Sequence, residues 1–146
     1  MTTIEAPIQT VEAGLRTLPA PLPELSFKPT HAQVFMFSAV TWNRHHIHYS
    51  DEAAKAEGHT GVVVQRGLIG NFLARMLTKW LAGKGEIRGL SWKVVKSARP
   101  GDELRCRGEM TSIIERDGQR LYVCALRVVD SQDQLLAEGT AELELL

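Results

Sequence analysis

The stretch Gln65-Arg66-Gly67-Leu68-Ile69-Gly70-Asn71-Phe72-Leu73-Ala74-Arg75-Met76-Leu77-Thr78-Lys79-Trp80-Leu81 decides the architecture. Its apolar members Leu68, Ile69, Phe72, Leu73, Met76, Leu77, Trp80 and Leu81 recur in pairs every four residues. That spacing predicts one long helix with a wide apolar stripe, a helix that must lie against a large partner surface. Ala82-Gly83-Lys84-Gly85 closes it with glycines and a base, as a helix C-terminus favours.

Everything downstream reads as strand. Glu86 to Lys96 carries Ile87, Leu90, Trp92, Val94 and Val95. Arg99-Pro100-Gly101-Asp102 reads as a turn. After it Leu104, Cys106, Met110 and Ile114 share one face, and Glu103, Arg105, Arg107, Glu109 and Glu115 share the other. Asp117-Gly118 is a hairpin signal. Leu121 to Val129 is almost continuously apolar and so belongs in the middle of the sheet. After the Ser131 to Asp133 turn, Leu135, Ala137, Gly139, Ala141, Leu143 and Leu145 alternate with Glu138, Thr140, Glu142 and Glu144. One helix followed by four antiparallel strands is most economically packed as a curved sheet wrapped around that helix, an α+β arrangement. The helix and the open sheet edge would both gain from a second copy, so a homodimer or higher homo-oligomer is expected.

Upstream of the helix, residues 1–23 hold Pro7, Pro19, Pro21 and Pro23 and read as an extended lead-in, with a short helix near Val11 to Leu18. Residues 24–146 form the single domain. Leu25 to Lys28 suits a short strand. Thr30 is placed to cap a helix from His31 to about Val40, which is apolar almost all round (Val34, Phe35, Met36, Phe37) and is therefore expected to be buried. Ser50 or Asp51 caps a second helix, Glu52 to Glu57, ended by Gly58. Val62 to Val64 reads as a brief extended segment.

Composition narrows the function classes. A chain of 146 residues suits one domain, and 17 basic against 17 acidic residues leave no net charge for a nucleic-acid surface. The two cysteines, Cys106 and Cys124, lie in apparent strands and read as buried thiols. No secretory signal and no apolar run of roughly 18 residues is present, so no membrane association and a cytoplasmic location are expected.

The chemistry concentrates in Thr41-Trp42-Asn43-Arg44-His45-His46-Ile47-His48-Tyr49, which holds three of the five histidines. This run, with Phe37-Ser38-Ala39-Val40 before it and Glu57-Gly58 and Gly61-Val62-Val63-Val64 after it, resembles MaoC-like dehydratases of the hotdog fold. Within them it is most similar to the branch of hydroxyacyl-thioester dehydratase type 2 and mesaconyl-CoA hydratase. Arg99 to Leu104 also resembles the turn that opens a hotdog strand.

The resemblance implies reversible addition of water to a 2-enoyl thioester carried on CoA or acyl carrier protein, with no cofactor and no metal. Its catalytic histidine falls on His48, and the acidic residue five positions earlier is replaced by Asn43. An amide orients water but does not exchange protons at neutral pH, which leaves proton transfer to His48. Thioester binding through the helix N-terminus falls on Gly67, with Arg66 beside it. Gln65-Arg66-Gly67 departs from the His-Gly or Gln-Gly pair of the family, so the amide that points into the site stays open. His45, His46 and Tyr49 are candidates for supporting positions. Lys93, Lys96 and Arg99 read either as a CoA-phosphate patch or as an exposed charge cluster.

Three alternatives stand beside this reading. A hotdog thioesterase commonly draws on an acid at its central helix, and no Asp or Glu lies between Gln65 and Ala82. His46-Ile47-His48 with Glu52 mimics a cupin metal-ligand spacing, though on a turn and a helix start rather than on strands. A non-catalytic acyl-thioester-binding subunit is also compatible with the asparagine.

Overall fold

A computed structural model describes residues 18–146. The helix near Val11 to Leu18, and the lead-in before Leu18, lie outside the described residues except for Leu18 itself. In chain order the elements are β1 (Ala20–Pro21), β2 (Leu25–Phe27), α1 (His31–Thr41), a 3-10 turn (His46–His48), α2 (Asp51–Ala56), α3 (Arg66–Leu81), β3 (Gly85–Val94), β4 (Leu104–Arg116), β5 (Gln119–Val129) and β6 (Leu135–Leu145).

The six strands form one antiparallel sheet in the order β1-β4-β5-β6-β3, with β2 also on β4. β5 occupies the middle, as its almost continuously apolar run predicts. The β4–β5 hairpin turns at Asp117 and Gly118, both with positive φ (52° and 77°), the conformation that an Asp-Gly pair accommodates. β2 and β3 lie at opposite ends of the strand order, yet α3 packs against both. A flat sheet cannot do this, so the sheet curls around the helix. Phe72 stacks on Phe27 of β2, and Trp92 of β3 lies over Gly70. The predicted stripe (Leu68, Ile69, Phe72, Leu73, Met76, Leu77, Trp80 and Leu81) is wholly buried and forms the centre of the core.

One expectation needs revision. α1 forms where predicted, closed at its start by a reciprocal capping box between Thr30 and Gln33. It is not buried all round: only Val34 and Ser38 are fully covered, while Phe35 (58%), Met36 (61%) and Val40 (80%) are exposed. Only the face that carries Val34 and Ser38 is covered, and the other apolar side chains stay bare. Val62 to Val64 belongs to no strand of the sheet. Its three amides donate to three unrelated acceptors, Asp51 Oδ1, the Ile47 carbonyl and the Ala98 carbonyl. Toward the N-terminus, β1 pairs with β4 and Leu22 is buried in the core, so the end of the lead-in runs along the sheet.

Candidate active site

The histidine run begins where α1 ends. Trp42 takes a left-handed conformation (φ 55°) and the Asn43 amide donates back to the Ser38 carbonyl at 2.9 Å, a Schellman-type closure. Asn43 is half-buried, and its Oδ1 accepts from the His45 amide at 3.2 Å. That contact turns the chain into the 3-10 turn carrying His46, Ile47 and His48. The Tyr49 hydroxyl donates to the Arg44 carbonyl at 2.8 Å, and its ring lies edge-on to Phe35. Tyr49 is thus part of the turn's outer wall and is exposed. His46 is exposed, its ring 5.3 Å from that of Tyr49.

His48 differs from its neighbours. It is buried, and its Nδ1 lies 2.7 Å from the Val63 carbonyl oxygen. A carbonyl only accepts, so Nδ1 carries the proton and Nε2 is left with its lone pair. Burial pushes the imidazole pKa below its ordinary 6.5 and outweighs the carbonyl bond; positive charge on His45 and His59 pushes the same way. At neutral pH the ring is therefore a neutral base with Nε2 available. The His45 ring sits edge-on to it at 5.8 Å between centroids, and His45 Nε2 meets the Glu57 carboxylate at 2.9 and 3.1 Å.

The second candidate element is the start of α3. No side chain caps its first turn, and the turn holds no acidic residue, so it presents free N–H groups. Gly67 is the second residue of the helix, and a Cβ there would stand 3.1 Å from the Phe37 ring of α1. The Arg66 side chain turns away: Nη2 donates to the Trp92 carbonyl at 2.8 Å and the guanidinium lies 5.1 Å from the indole centroid. The Trp92 indole N–H donates back to the Arg66 carbonyl at 2.9 Å. The structure thus brings Asn43, His45 and His48 into one turn, sets Gly67 against α1, and commits the Arg66 guanidinium to β3.

Several contributors escape a reading of the sequence. Gln65, Val63, Glu57 and Asp51 hold the site through contacts that span 11 to 31 residues. Lys93 pairs with Glu138 at 2.8 Å, and Lys96 with Gln134, so two of the three bases of the suggested phosphate patch already have partners. Among the described residues no three His, Cys, Asp or Glu side chains gather as a metal would require, and His46, His48 and Glu52 do not converge. A cavity of about 850 Å³ opens elsewhere, over Gly108, Ala125 and Gly139 on the sheet, with no histidine in its lining.

Known folds match this arrangement closely. A chain of the ChsH1–ChsH2 complex from Mycobacterium tuberculosis superposes with a TM-score of 0.78 at 19% identity, covering 89% of this chain and 98% of that one. An (R)-hydratase from A. caviae involved in PHA biosynthesis gives 0.78 at 21%, with 89% and 97% covered. A chain of the HadBC (3R-hydroxyacyl-ACP dehydratase) complex from Mycobacterium tuberculosis gives 0.73 at 19%, with 86% and 93% covered. No curated protein matches the sequence significantly. The fold is a hotdog of the MaoC-like dehydratase and hydratase type. The family model described as hydroxyacyl-thioester dehydratase type 2 matches residues 12–100, and the chain belongs to that family.

Proposed function

We propose that the protein is a hydro-lyase that reversibly hydrates a 2-enoyl thioester, or dehydrates the 3-hydroxyacyl thioester, on CoA or acyl carrier protein in the cytoplasm. The observation that carries this reading is the tautomer of His48. With Nδ1–H committed to the Val63 carbonyl, the buried ring offers one basic nitrogen, Nε2, at neutral pH. In the hydration direction Nε2 takes a proton from water as its oxygen attacks the β-carbon, and returns that proton to the α-carbon. The Asn43 carboxamide orients the water and takes no proton. Negative charge that develops on the thioester oxygen is met by the first-turn amides of α3, with the Gly67 N–H as the proposed donor. Arg66 takes part through its backbone, because its guanidinium is held on β3.

We further propose that the working form is a homodimer. The exposed apolar residues of α1 next to the site, and the β3 edge, which has no strand partner among the described residues, both support a second copy. Sedimentation of the purified chain tests this, and a monomer at micromolar concentration would refute it.

The activity is tested with purified chain and a panel of short, branched and long 2-enoyl-CoAs, following loss of the conjugated double bond and release of free thiol together. Double-bond loss without thiol release is expected. Thiol release alone would replace the reading with a thioesterase. Turnover of none of the panel would leave an acyl-binding subunit.

A further inference from the structure

Gln65 stands at the N-cap of α3 and is 1% exposed. Its Nε2 donates to the Val34 carbonyl at 2.6 Å and to Ser38 Oγ at 2.8 Å, both on α1. The backbone carbonyl of Val34 cannot donate, so the nitrogen must face it and the amide orientation is determined. Gln65 Oε1 is then left without a partner, the one buried side-chain polar atom in that state among the described residues. A half-satisfied buried amide costs about 1–3 kcal/mol, so filling space would be better served here by an apolar side chain. The two bonds to α1 are what an amide adds.

Those bonds end on a specific helical turn. Ser38 receives Gln65 through Oγ, and through its carbonyl it holds the Asn43 amide at 2.9 Å. Phe37 of the same turn lies against Gly67. Val63, whose carbonyl fixes His48, is two residues before Gln65. A single side chain therefore links the start of α3 to the residue that launches the Asn43–His48 turn. We propose that Gln65 is a positioning residue, which sets the distance between the first-turn amides of α3 and Asn43 by holding Ser38. The inference rests on the hydratase reading given above.

The test compares wild type, Gln65→Met, Ser38→Ala and the double variant. Methionine keeps the volume and removes the donors. Turnover of the best 2-enoyl-CoA is measured with Tm and the amide hydrogen exchange of Asn43. With Gln65→Met, kcat falls roughly ten- to a hundredfold at nearly constant KM. Asn43 exchange quickens about tenfold, while the Cys124 amide in β5 keeps its protection. Ser38→Ala gives a smaller loss in the same direction, and the double variant is no worse than Gln65→Met, because both act through one contact. Unchanged kcat and Asn43 exchange, additive losses, or a loss matched by faster exchange everywhere would each overturn the proposal. Should wild type turn over no enoyl-CoA, the hydratase reading fails, and Asn43 exchange alone decides whether Gln65 positions the turn.

Discussion

Gly70→Ala opposes two effects of known sign within α3. In an ordinary helix interior the exchange stabilises by about 1 kcal/mol, because alanine restricts the unfolded chain and favours helix. Here an ideal Cβ would lie 2.1, 2.4 and 2.6 Å from Cζ2, Cε2 and Cη2 of Trp92. Carbon atoms need about 3.5–4.0 Å, so the ring must retreat by more than about 1 Å. It is not a free end, since its N–H is bonded to the Arg66 carbonyl and the Arg66 guanidinium stacks on it. Overpacking costs about 1–3 kcal/mol, and loss of the indole bond about 0.5–1.5 kcal/mol more. After the propensity gain is subtracted, the variant is expected to be less stable by about 2 kcal/mol, or roughly 5–10 °C in Tm for a domain of this size. Thermal and urea unfolding of Gly70→Ala in wild-type and Trp92→Leu backgrounds would show it. In the leucine background the clash is gone and the exchange should be neutral or stabilising. A higher Tm for Gly70→Ala alone, or an equal cost in both backgrounds, would refute the packing argument.

Other expectations follow from the site and the core. His48→Ala should lower hydratase turnover by at least roughly a hundredfold in a folded protein, by the ordinary size of a general-base contribution; unchanged turnover would remove His48 from the mechanism. The acidic limb of kcat/KM should have its midpoint below 6.5, because burial holds the His48 pKa under that value. For stability the sign is set by proton binding. The unfolded chain binds this proton more readily, so the His48 contribution is complete above 6.5 and is lost as pH falls toward the depressed value. The urea midpoint should therefore drop as pH falls below about 6.5, and drop less in His48→Asn. Cys106 and Cys124 are buried, with thiol pKa values pushed up to about 12 by desolvation. Neither should react with a thiol reagent at neutral pH until the chain unfolds, and rapid labelling of the native protein would contradict their placement.

The features that periodicity encodes were legible from the residues. The α3 stripe, the Asp117-Gly118 turn, the Thr30 cap and the central position of β5 each follow from local spacing or from a residue with one conformational use. The resemblance marks His48 in the sequence, and the structure buries it with Nδ1 on the Val63 carbonyl. Two kinds of information were out of reach. Coverage was one: α1 is apolar on all sides, and its composition does not say which sides this chain covers and which it leaves bare. Long-range polar contact was the other. Gln65 gripping Val34 and Ser38, or Glu57 meeting His45, leaves no periodic trace and depends on how separate elements dock.

The segment from Val62 to Gln65 secures its surroundings mainly with main-chain groups. The Val63 carbonyl holds His48, the Val63 amide holds Ile47, and the Val64 amide reaches Ala98. Side-chain truncation leaves all three in place. Alanine scanning across Val62, Val63 and Val64 would thus report packing losses and miss the segment's hold on the imidazole. An amide-to-ester replacement at Val64 would expose the segment's backbone role, because it weakens the Val63 carbonyl as an acceptor and removes the Val64 N–H that donates to Ala98, while leaving every side chain intact. The hold of this segment on His48, Ile47 and Ala98 lies in backbone atoms, where a mutational map of side chains cannot see it.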